Sequence, residues 1–392
     1  MNSELNKINI KNVSKLLEQS DSFETIKSTF EESGVQVRTI KSQENTYLEN
    51  LYLLVSNTDT DCDTLSPLQM QCNGLVIEKI SNKIVCMAQN RFVELENDFQ
   101  QIEDLIKQYP KFRMEYCEDG TVIRLYNYNG KWFTATTKCI DARKSYWSSE
   151  KTFDDLFWEI FSNSEFDITD LDMNFTYSFI LIHQDNRIVV NHKYNNLVYI
   201  NRINNVTQEE DFTNYFYNDN PRRSIRRTKQ LHVPSFISDL NNYYHPDKRG
   251  IVFKFFDTYS NSWLLYRYDF TIYSRIKEIR GNVPLIRMRY LELLNDPEKL
   301  ALLQMYYPEN NMVFAMIKHC LGNLYKQVHN LYFQSHIKHS ITIEEDNKFY
   351  RTLKQLHGQY KKQGTVITLE EVQKKINSLD PHILITLLGW FN

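Results

Sequence analysis

The chain has 392 residues, of which 42% are hydrophobic and 24% are charged, a composition typical of a globular protein. Its length exceeds the usual size of one domain, so the sequence predicts two domains. The formal charge of −3 excludes a bulk attraction to nucleic acid, so any such binding must come from a local basic surface.

The first part of the chain predicts a helical lead-in to a sheet. Within residues 1–50, apolar residues such as Leu16, Leu17, Ile26 and Phe30 recur at helical spacings. From Leu51 the pattern changes to the alternating run LYLLVSN, which is typical of a strand. The amino-terminal sequence lacks the apolar segment of a signal peptide, and no stretch approaches the ~18 apolar residues of a membrane span.

Strands dominate the prediction from Cys72 to about Tyr268. Turn signals at Glu118–Gly120 and Asn127–Gly130 separate runs rich in β-branched and aromatic residues. These runs are GLVIEK, KIVCMA, FRMEYC, TVIRLYNY, KWFTATT, YSFILIH, RIVVNH, LVYINRI, IVFKFF and SWLLYRY. One helix is predicted within them, at about Ser149–Ser162, because its apolar residues recur at spacings of three and four.

After Pro284 the apolar residues follow helical spacing to the end of the chain. Thr368 and Glu371 predict a capping box, and Asp380-Pro381 predicts a helix start. We therefore predict an antiparallel α+β domain over residues 1–282, with its lead-in over 1–50. An all-helical carboxyl-terminal domain is predicted over residues 283–392.

The cysteines give no sign of a metal centre or of disulfides. No CxxC pair occurs, so the sequence predicts reduced and mostly buried thiols at Cys62, Cys72, Cys86, Cys117, Cys139 and Cys320. The pair His336 and His339 lies at helical spacing but lacks an obvious third ligand, so we expect a solvent-facing helix surface and no metal site.

The segment from Phe112 to Thr137 combines a strand, a turn with Asp119-Gly120, and a hairpin. Covalent nucleotidyltransferases carry the motif K-x-D/N-G in this setting, where the lysine amine attacks the α-phosphate of a nucleotide. The segment resembles that motif, with Cys117 at the lysine position. We expect Cys117 to be a small buried residue, with a thiolate nucleophile as the alternative.

Two neighbouring segments resemble further motifs of the bacteriophage-type RNA ligase 1 family. In QCNGLVIEKISNKIVCMAQNRFVELEN, Asn73 and Arg91 replace an arginine and a lysine of the family, and the matching residues are Cys72, Gly74 and Phe92. In FTYSFILIHQDNRIVV, Ile180 replaces the glutamate that holds the ribose, and the matching residues are Phe179, Asn186, Arg187, Ile188 and Val189. We expect Arg187 to serve the turn and an ion pair within the sheet.

The last two motifs also occur in the order found in the family, but their charged residues differ from those of the family. In DKRGIVFKFF, Gly250 matches and Arg249 replaces the carboxylate that serves metal and phosphate chemistry. In WLLYRYDFTIYSRIKEIRGN, Tyr273 matches a tyrosine that closes the nucleotide site, while Arg267 and Asp269 occupy the two positions of a K-x-K motif. An isoleucine cannot accept a hydrogen bond, and a guanidinium cannot coordinate a metal.

The resemblance implies an antiparallel-sheet nucleotidyltransferase core of the ATP-grasp-like ligase kind, in a catalytically degenerate member of the family from a large DNA virus. It implies no catalytic residue, no metal and no cofactor. The location would be cytoplasmic, in the host cytoplasm or the virion of a virus, with the nucleus as an alternative and without membrane association.

Three functions are compatible with these residues. The first is an RNA-ligase-like pseudoenzyme that binds RNA or another nucleic acid, or assembles with a protein partner. The second is an active, divergent ATP-dependent RNA ligase that uses ATP and Mg²⁺ with a relocated lysine, for which Lys138 and Lys254 are the candidates. The third is a structural or interaction protein without RNA contact.

The densest local positive charge lies in the run from Pro221 to Lys229, which contains no acidic residue. Such a run can neutralise phosphates, although a solvated loop or a nuclear-targeting signal is the alternative. The predicted nucleic-acid-binding residues are Arg222, Arg223, Arg226, Arg227 and Lys229, together with Lys138 and Lys254.

Overall fold

A computed structural model describes residues 11–18, 22–40, 47–56, 65–95, 99–212, 216, 225–232, 240, 243–258 and 262–390. The chain divides into two compact units, Met1–Ser274 and Arg275–Asn392. This division lies before the boundary predicted at residue 282. The helix Thr271–Arg280 spans the division, and its residue Ile279 belongs to the core of the helical unit.

The strands lie in the first unit. In chain order they are β1 (Val35–Thr39), β2 (Leu51–Ser56), β3 (Asn73–Glu78), β4 (Ile84–Cys86), β5 (Val93–Leu95), β6 (Phe112–Cys117), β7 (Thr121–Tyr128), β8 (Lys131–Ala135), β9 (Phe175–Ile182), β10 (Asn196–Asn204), β11 (Glu210–Asp211), β12 (Ile225–Arg227), β13 (Gly250–Asp257) and β14 (Ser262–Asp269).

The helices fall in both units. They are α1 (Lys11–Glu18), α2 (Phe23–Glu32), α3 (Pro67–Gln71), α4 (Phe99–Gln108), α5 (Phe153–Phe161), α6 (Thr271–Arg280), α7 (Ile286–Glu292), α8 (Pro297–Tyr306), α9 (Asn311–Tyr332), α10 (Tyr350–Gln363), α11 (Leu369–Asn377) and α12 (Pro381–Leu388). No helix among the described residues is long and apolar enough to cross a membrane.

The strands form three sheets that are largely antiparallel. The first has the order β1-β2-β3-β4, and the second has the order β11-β10-β9-β7-β8 with β12 parallel to β10. The third has the order β5-β14-β13-β6, in which β5 is parallel to β14. The predicted α+β class, with antiparallel sheets followed by a helical carboxyl-terminal region, is confirmed.

Burial explains the apolar patterns of the sheets. Strand β2 is buried along its whole length because its two faces pack into different cores, one containing Tyr52 and Leu54 and the other Leu51 and Leu53. Helix α5 packs on the second sheet, where the ring of Phe157 lies edge-on to that of Phe179 at 5.5 Å.

Several predicted elements agree closely with the structure. FRMEYC and TVIRLYNY are β6 and β7 at the same residues, and the helix predicted at about Ser149–Ser162 is α5. The β7–β8 turn places Asn129 and Gly130 at φ 52° and 75°, the left-handed pair that a tight hairpin turn requires. The capping box of Thr368 with Glu371 and the helix start at Pro381 are confirmed.

Two other expectations are wrong. The run RIVVNH is not a strand, because the amides of Val189 and Val190 donate to the Asp119 carboxylate instead of to a neighbouring strand. The lead-in over residues 1–50 also contains β1, which pairs with β2 and starts the first sheet earlier than the sequence indicated.

The helical unit has its own core around α9. Its buried residues recur at spacings of three and four along that helix, which is the pattern of a helix that presents one apolar face to its neighbours. Among the described cysteines, Cys72, Cys86 and Cys117 are buried, Cys139 and Cys320 are half-buried, and none forms a disulfide. Cys62 lies outside the described residues.

Candidate functional site

The third sheet brings the positions of the resembled motifs together. Strand β6 ends at Cys117, which pairs across the antiparallel ladder with Gly250 on β13, and Gly250 pairs with Asp269 on β14. A cavity of about 70 Å³ lies against these strands. Its lining includes Cys117, Ile180, Arg249, Lys254 and Arg267.

This cavity is too small for a nucleotide. Ligand pockets typically enclose about 300–1,000 Å³, several times the volume found here. Ile180 contributes an aliphatic wall from β9, and Phe92 places its ring 5.1 Å from the Arg267 guanidinium. The lining is therefore apolar on one side and crowded by ion-paired side chains on the other.

Cys117 lies buried at the end of β6, with 7% of its surface exposed. Burial raises the pKa of its thiol to about 11, although Arg249 and Arg267 act in the opposite direction. At neutral pH the group is therefore a protonated thiol, and the thiolate that acts as a nucleophile is a minor species. The environment agrees with a space-filling role.

Arg249 donates two hydrogen bonds to Asp269, from Nε at 2.7 Å and from a terminal nitrogen at 2.8 Å. Arg267 lies 3.5 Å from the same carboxylate and also pairs with Glu94. A two-pronged pair of this kind fixes both partners in one geometry. The residues at the carboxylate and lysine positions of the motifs thus bind each other.

Asp119 organises the turn after Cys117. One carboxylate oxygen accepts from the backbone amides of Val189 and Val190 at 2.9 and 2.7 Å. The other accepts from the Tyr273 hydroxyl at 2.6 Å, and His192 lies 3.0 Å from the Asp119 carbonyl oxygen. Asp119 and Tyr273 are both buried, so they connect distant parts of the chain inside the unit.

The matching glycines are explained by close packing. A Cβ at Gly250 would overlap the carbonyl oxygen of Tyr268, and a Cβ at Gly120 would lie 2.5 Å from that of Leu181. Gly74 adopts a φ of 103°, and its carbonyl accepts from the buried Arg124 side chain. These glycines therefore support the fold whether or not catalysis occurs.

Lys254 lies in the same cavity and forms a buried ion pair. Its Nζ is 2.9 Å from Glu115, and both side chains are at most 3% exposed. Glu115 also accepts from the Thr228 hydroxyl at 2.8 Å and from Arg113 Nε at 3.1 Å. The Lys254 amine is therefore directed to Glu115 inside the unit.

Lys138 lies elsewhere. Its side chain lines a separate cavity of about 190 Å³ with Arg38 and Asp141, away from the lining of the Cys117 cavity. Lys138 and Lys254 therefore do not share one basic cleft.

Asn186 and Arg187 form the turn after β9, where Asn186 contacts Thr121 and Arg187 donates to the Val189 carbonyl.

The described half of the basic run lies beside β6. The Tyr116 amide donates to the Lys229 carbonyl at 3.1 Å, and the Lys229 ammonium lies 5.9 Å from the centre of the Tyr116 ring. Arg226 lies 3.9 Å from Glu118, and Arg227 is exposed. Arg222 and Arg223 lie outside the described residues.

Lys248, which the sequence did not single out, completes this surface. Lys248 pairs with the buried Glu118 and also lies 6.0 Å from the Tyr116 ring. We call Tyr116 and the described cations beside it, Arg226, Arg227, Lys229 and Lys248, the Tyr116 surface. Glu118 could have been found from the sequence because it directly precedes Asp119 in the motif, whereas no pattern in the sequence pointed to Lys248.

A second and larger cavity, of about 880 Å³, opens at the other end of the third sheet. Its lining includes Arg113 and Arg227 beside the aromatic residues Phe212 and Trp263. The Arg113 guanidinium lies 4.9 Å from the Phe212 ring. No group of three or more His, Cys, Asp and Glu side chains within the described ranges is arranged to hold a metal ion.

No protein-family model matches the chain. It is 24% identical over 305 residues to an "Immediate-early protein ICP-46 homolog" of Invertebrate iridescent virus 6, covering 69% of this chain and 65% of that protein. It is 25% identical over 257 residues to the protein of the same description from Invertebrate iridescent virus 3, covering 62% of this chain and 55% of that protein. The chain thus spans less than two thirds of the length of these viral relatives.

Three solved structures to which the chain is similar are described as ligases. A protein described as an ATP-dependent DNA ligase of Aquifex aeolicus aligns with a TM-score of 0.42 and 13% identity, over 88% of this chain and 81% of that one. An archaeal ATP-dependent RNA ligase aligns with a TM-score of 0.39 and 9% identity, over 93% and 81%. A lysine-to-alanine variant of a Naegleria gruberi RNA ligase aligns with a TM-score of 0.31 and 7% identity, over 62% and 75%.

Proposed function

We propose that this chain is a ligase-like pseudoenzyme that does not form a covalent nucleotide adduct and that binds RNA through the Tyr116 surface. The observation that carries the first part is the Cys117 cavity of about 70 Å³, which has a buried thiol where the resembled motif has an amine. The nucleophile, the ribose contact and the metal-binding carboxylate of the motif are absent at Cys117, Ile180 and Arg249.

A relocated lysine is the rival account, and the contacts argue against it. Lys254 is the lysine that borders the Cys117 cavity, and its ammonium group is bound to Glu115 at 2.9 Å. Lys138 borders a different cavity. Neither side chain therefore offers a free amine at the Cys117 position.

RNA binding is supported by the combination of charge and an aromatic ring. Arg226 and Lys229 are exposed, and the centre of the half-buried Tyr116 ring lies 5.9 Å from the Lys229 ammonium group and 6.0 Å from that of Lys248. Single-stranded nucleic acid binds to surfaces of this kind, because cations neutralise the phosphates and aromatic rings stack on the bases. The overall charge of −3 makes such a local surface necessary.

Salt-dependent RNA binding tests this proposal. The triple variant Arg226→Gln/Arg227→Gln/Lys229→Gln should weaken binding of a single-stranded RNA and reduce the slope of log K against log salt by about 0.7 for each lost phosphate contact. The matched control is Lys83→Gln/Lys107→Gln/Lys131→Gln, which removes the same charge from exposed residues of the same unit.

The control should keep the slope of the unmodified chain. Equal slopes for both triple variants would place RNA binding outside the Tyr116 surface, and a chain without measurable RNA affinity would favour the protein-contact alternative. Circular dichroism should show the same melting curve for both variants, since exposed substitutions usually change stability by at most about 0.5 kcal/mol each.

A further inference from the structure

The helical unit contains a π-helical turn that the proposed function does not use. Helix α9 continues directly into a π-helix over Phe333–Ile337, and π-turns are rare and frequently occur at functional sites. The turn carries His336, whose ring stacks on Tyr332 at 5.3 Å and lies 4.7 Å from the ring of His357 on α10. His339 follows with a φ of 52°.

A hydroxyl group lies on the Nδ1 side of His336. The Ser335 hydroxyl donates to the Leu331 carbonyl at 2.6 Å, and Nδ1 of His336 lies 2.7 Å from the same hydroxyl oxygen. Protonated His336 carries a proton on both ring nitrogens, so it can donate to Ser335 and to a ligand at the same time.

His336 borders a cavity of about 380 Å³, which is large enough for a nucleotide. Three lining residues can carry positive charge, namely His336, His339 and Lys354. Three others carry hydroxyl groups, namely Ser335, Thr342 and Tyr350, and the remaining lining residues are aliphatic. None of the described lining residues carries a carboxylate.

Most of the ionisable groups around this cavity are basic. Burial lowers the pKa of His336, and His357, His339 and Lys361 lower it further; the pKa of His357 is lowered in the same direction. Nδ1 of His357 is buried without a hydrogen-bond partner among the described residues. The acidic neighbours are Glu345, which accepts from the Tyr350 hydroxyl at 3.1 Å, and Glu371, which acts on Tyr332 from α11.

We propose that the cavity beside the π-helical turn binds a phosphate group carried by a ligand of nucleotide size. Lys354 supplies a charged donor, His336 and His339 supply donors that become charged when protonated, and the Thr342 hydroxyl adds a neutral donor. The aliphatic part of the lining suits the less polar body of such a ligand. All of these residues belong to the helical unit, so the site does not depend on the Tyr116 surface.

Calorimetric titration of the full chain with inorganic phosphate and with AMP tests this site. Replacing His336 and His339 should reduce affinity more at about pH 6 than at about pH 8, because protonation of these imidazoles begins only below neutral pH, and the comparison between variants cancels the titration of the phosphate probe itself. The variant His336→Gln/His339→Gln/Lys354→Gln should lose at least about tenfold in affinity. The control Lys362→Gln changes an exposed lysine on the same helix and should bind like the unmodified chain.

Lys354→Gln alone gives a second measurement that does not depend on folding, because this side chain is exposed, and it should weaken AMP binding by about threefold. AMP binding tighter than phosphate binding would identify a nucleotide, whereas equal binding would identify the phosphate group alone. The site is disproved if neither probe binds at about pH 6, or if the triple variant binds like Lys362→Gln. RNA affinity is not a readout, so this result is separate from that for the Tyr116 surface.

Discussion

Arg249 and Asp269 form a two-pronged ion pair whose charges are the reverse of those in the motifs that the chain resembles. Arg249 stands at the carboxylate position of one motif and Asp269 at a lysine position of another, and they meet at 2.7 and 2.8 Å. The ion pair links Arg249, which directly precedes β13, to the last residue of β14. This contact is structural, as expected for the pseudoenzyme that we propose.

Charge exchange at this pair should show coupling. Arg249→Glu or Asp269→Lys alone places like charges side by side in a mostly buried position, and each should lower the free energy of unfolding by about 3 kcal/mol. The double variant Arg249→Glu/Asp269→Lys restores opposite charges and should recover part of that loss. Urea unfolding measures all three, and losses that simply add would contradict the coupling.

The buried pair of Glu115 and Lys254 should depend on pH. Burial tends to raise the pKa of Glu115, but Lys254, Thr228 and Arg113 together hold it below 4.5. A carboxyl with a lowered pKa stabilises the fold above its unfolded pKa, and this contribution is lost as the pH falls through the folded value.

Lys254→Met should therefore lower the free energy of unfolding by about 3–5 kcal/mol near neutral pH, because it leaves the Glu115 carboxylate buried without its main partner. The difference from the unmodified chain should shrink as the pH falls, because burial without Lys254 raises the pKa of Glu115 and the variant therefore takes up its proton at a higher pH than the unmodified chain. Glu115→Gln/Lys254→Met is the matched control and should be more stable than Lys254→Met alone. A difference that is constant with pH would contradict this account.

Tyr273→Phe removes a single hydroxyl group from a buried contact. Burial raises the pKa of Tyr273, so the hydroxyl keeps its proton and donates to Asp119 at 2.6 Å. Loss of a hydrogen bond to a charged group should lower the free energy of unfolding by about 1.5–3 kcal/mol. Tyr244→Phe, at an exposed tyrosine, serves as the control and should have little effect.

Cys117 should react slowly with alkylating reagents. Its thiol is buried and its pKa is raised to about 11, so the reactive thiolate is scarce at neutral pH. Peptide mass mapping after brief iodoacetamide treatment should show modification of the half-buried Cys139 and Cys320 before Cys117. Modification of Cys117 first would support the thiolate nucleophile that we consider the alternative.

The sequence predicted local strand patterns better than it predicted long-range contacts. FRMEYC and TVIRLYNY were correct because their alternation and their turn residues are local signals. RIVVNH carries the same signals, yet two of its backbone amides donate hydrogen bonds to the carboxylate of Asp119, which lies 70 and 71 positions earlier in the chain. When a distant side chain accepts the hydrogen bonds that a neighbouring strand would otherwise accept, the periodic pattern of the sequence does not change.

The same limit applies to the site. The motif order identified Cys117, Ile180, Arg249 and Arg267 as candidates, and the structure places these residues around one cavity. The sequence also treated Lys138 and Lys254 as equivalent, although they line different cavities. Whether a lysine faces the site depends on the strand that carries it and on its ion-pair partner, and neither can be read from local sequence.

Intact-mass measurement after incubation with ATP and Mg²⁺ or Mn²⁺ shows whether the chain forms a covalent nucleotide adduct. We expect no mass gain of one AMP for the unmodified chain, and none for Cys117→Lys, because Ile180 and Arg249 still lack the ribose and metal contacts of the motif. A known ATP-dependent RNA ligase, treated in parallel, provides the positive control. An AMP adduct on the unmodified chain would contradict the account and would show that another nucleophile, such as Lys254, performs the reaction.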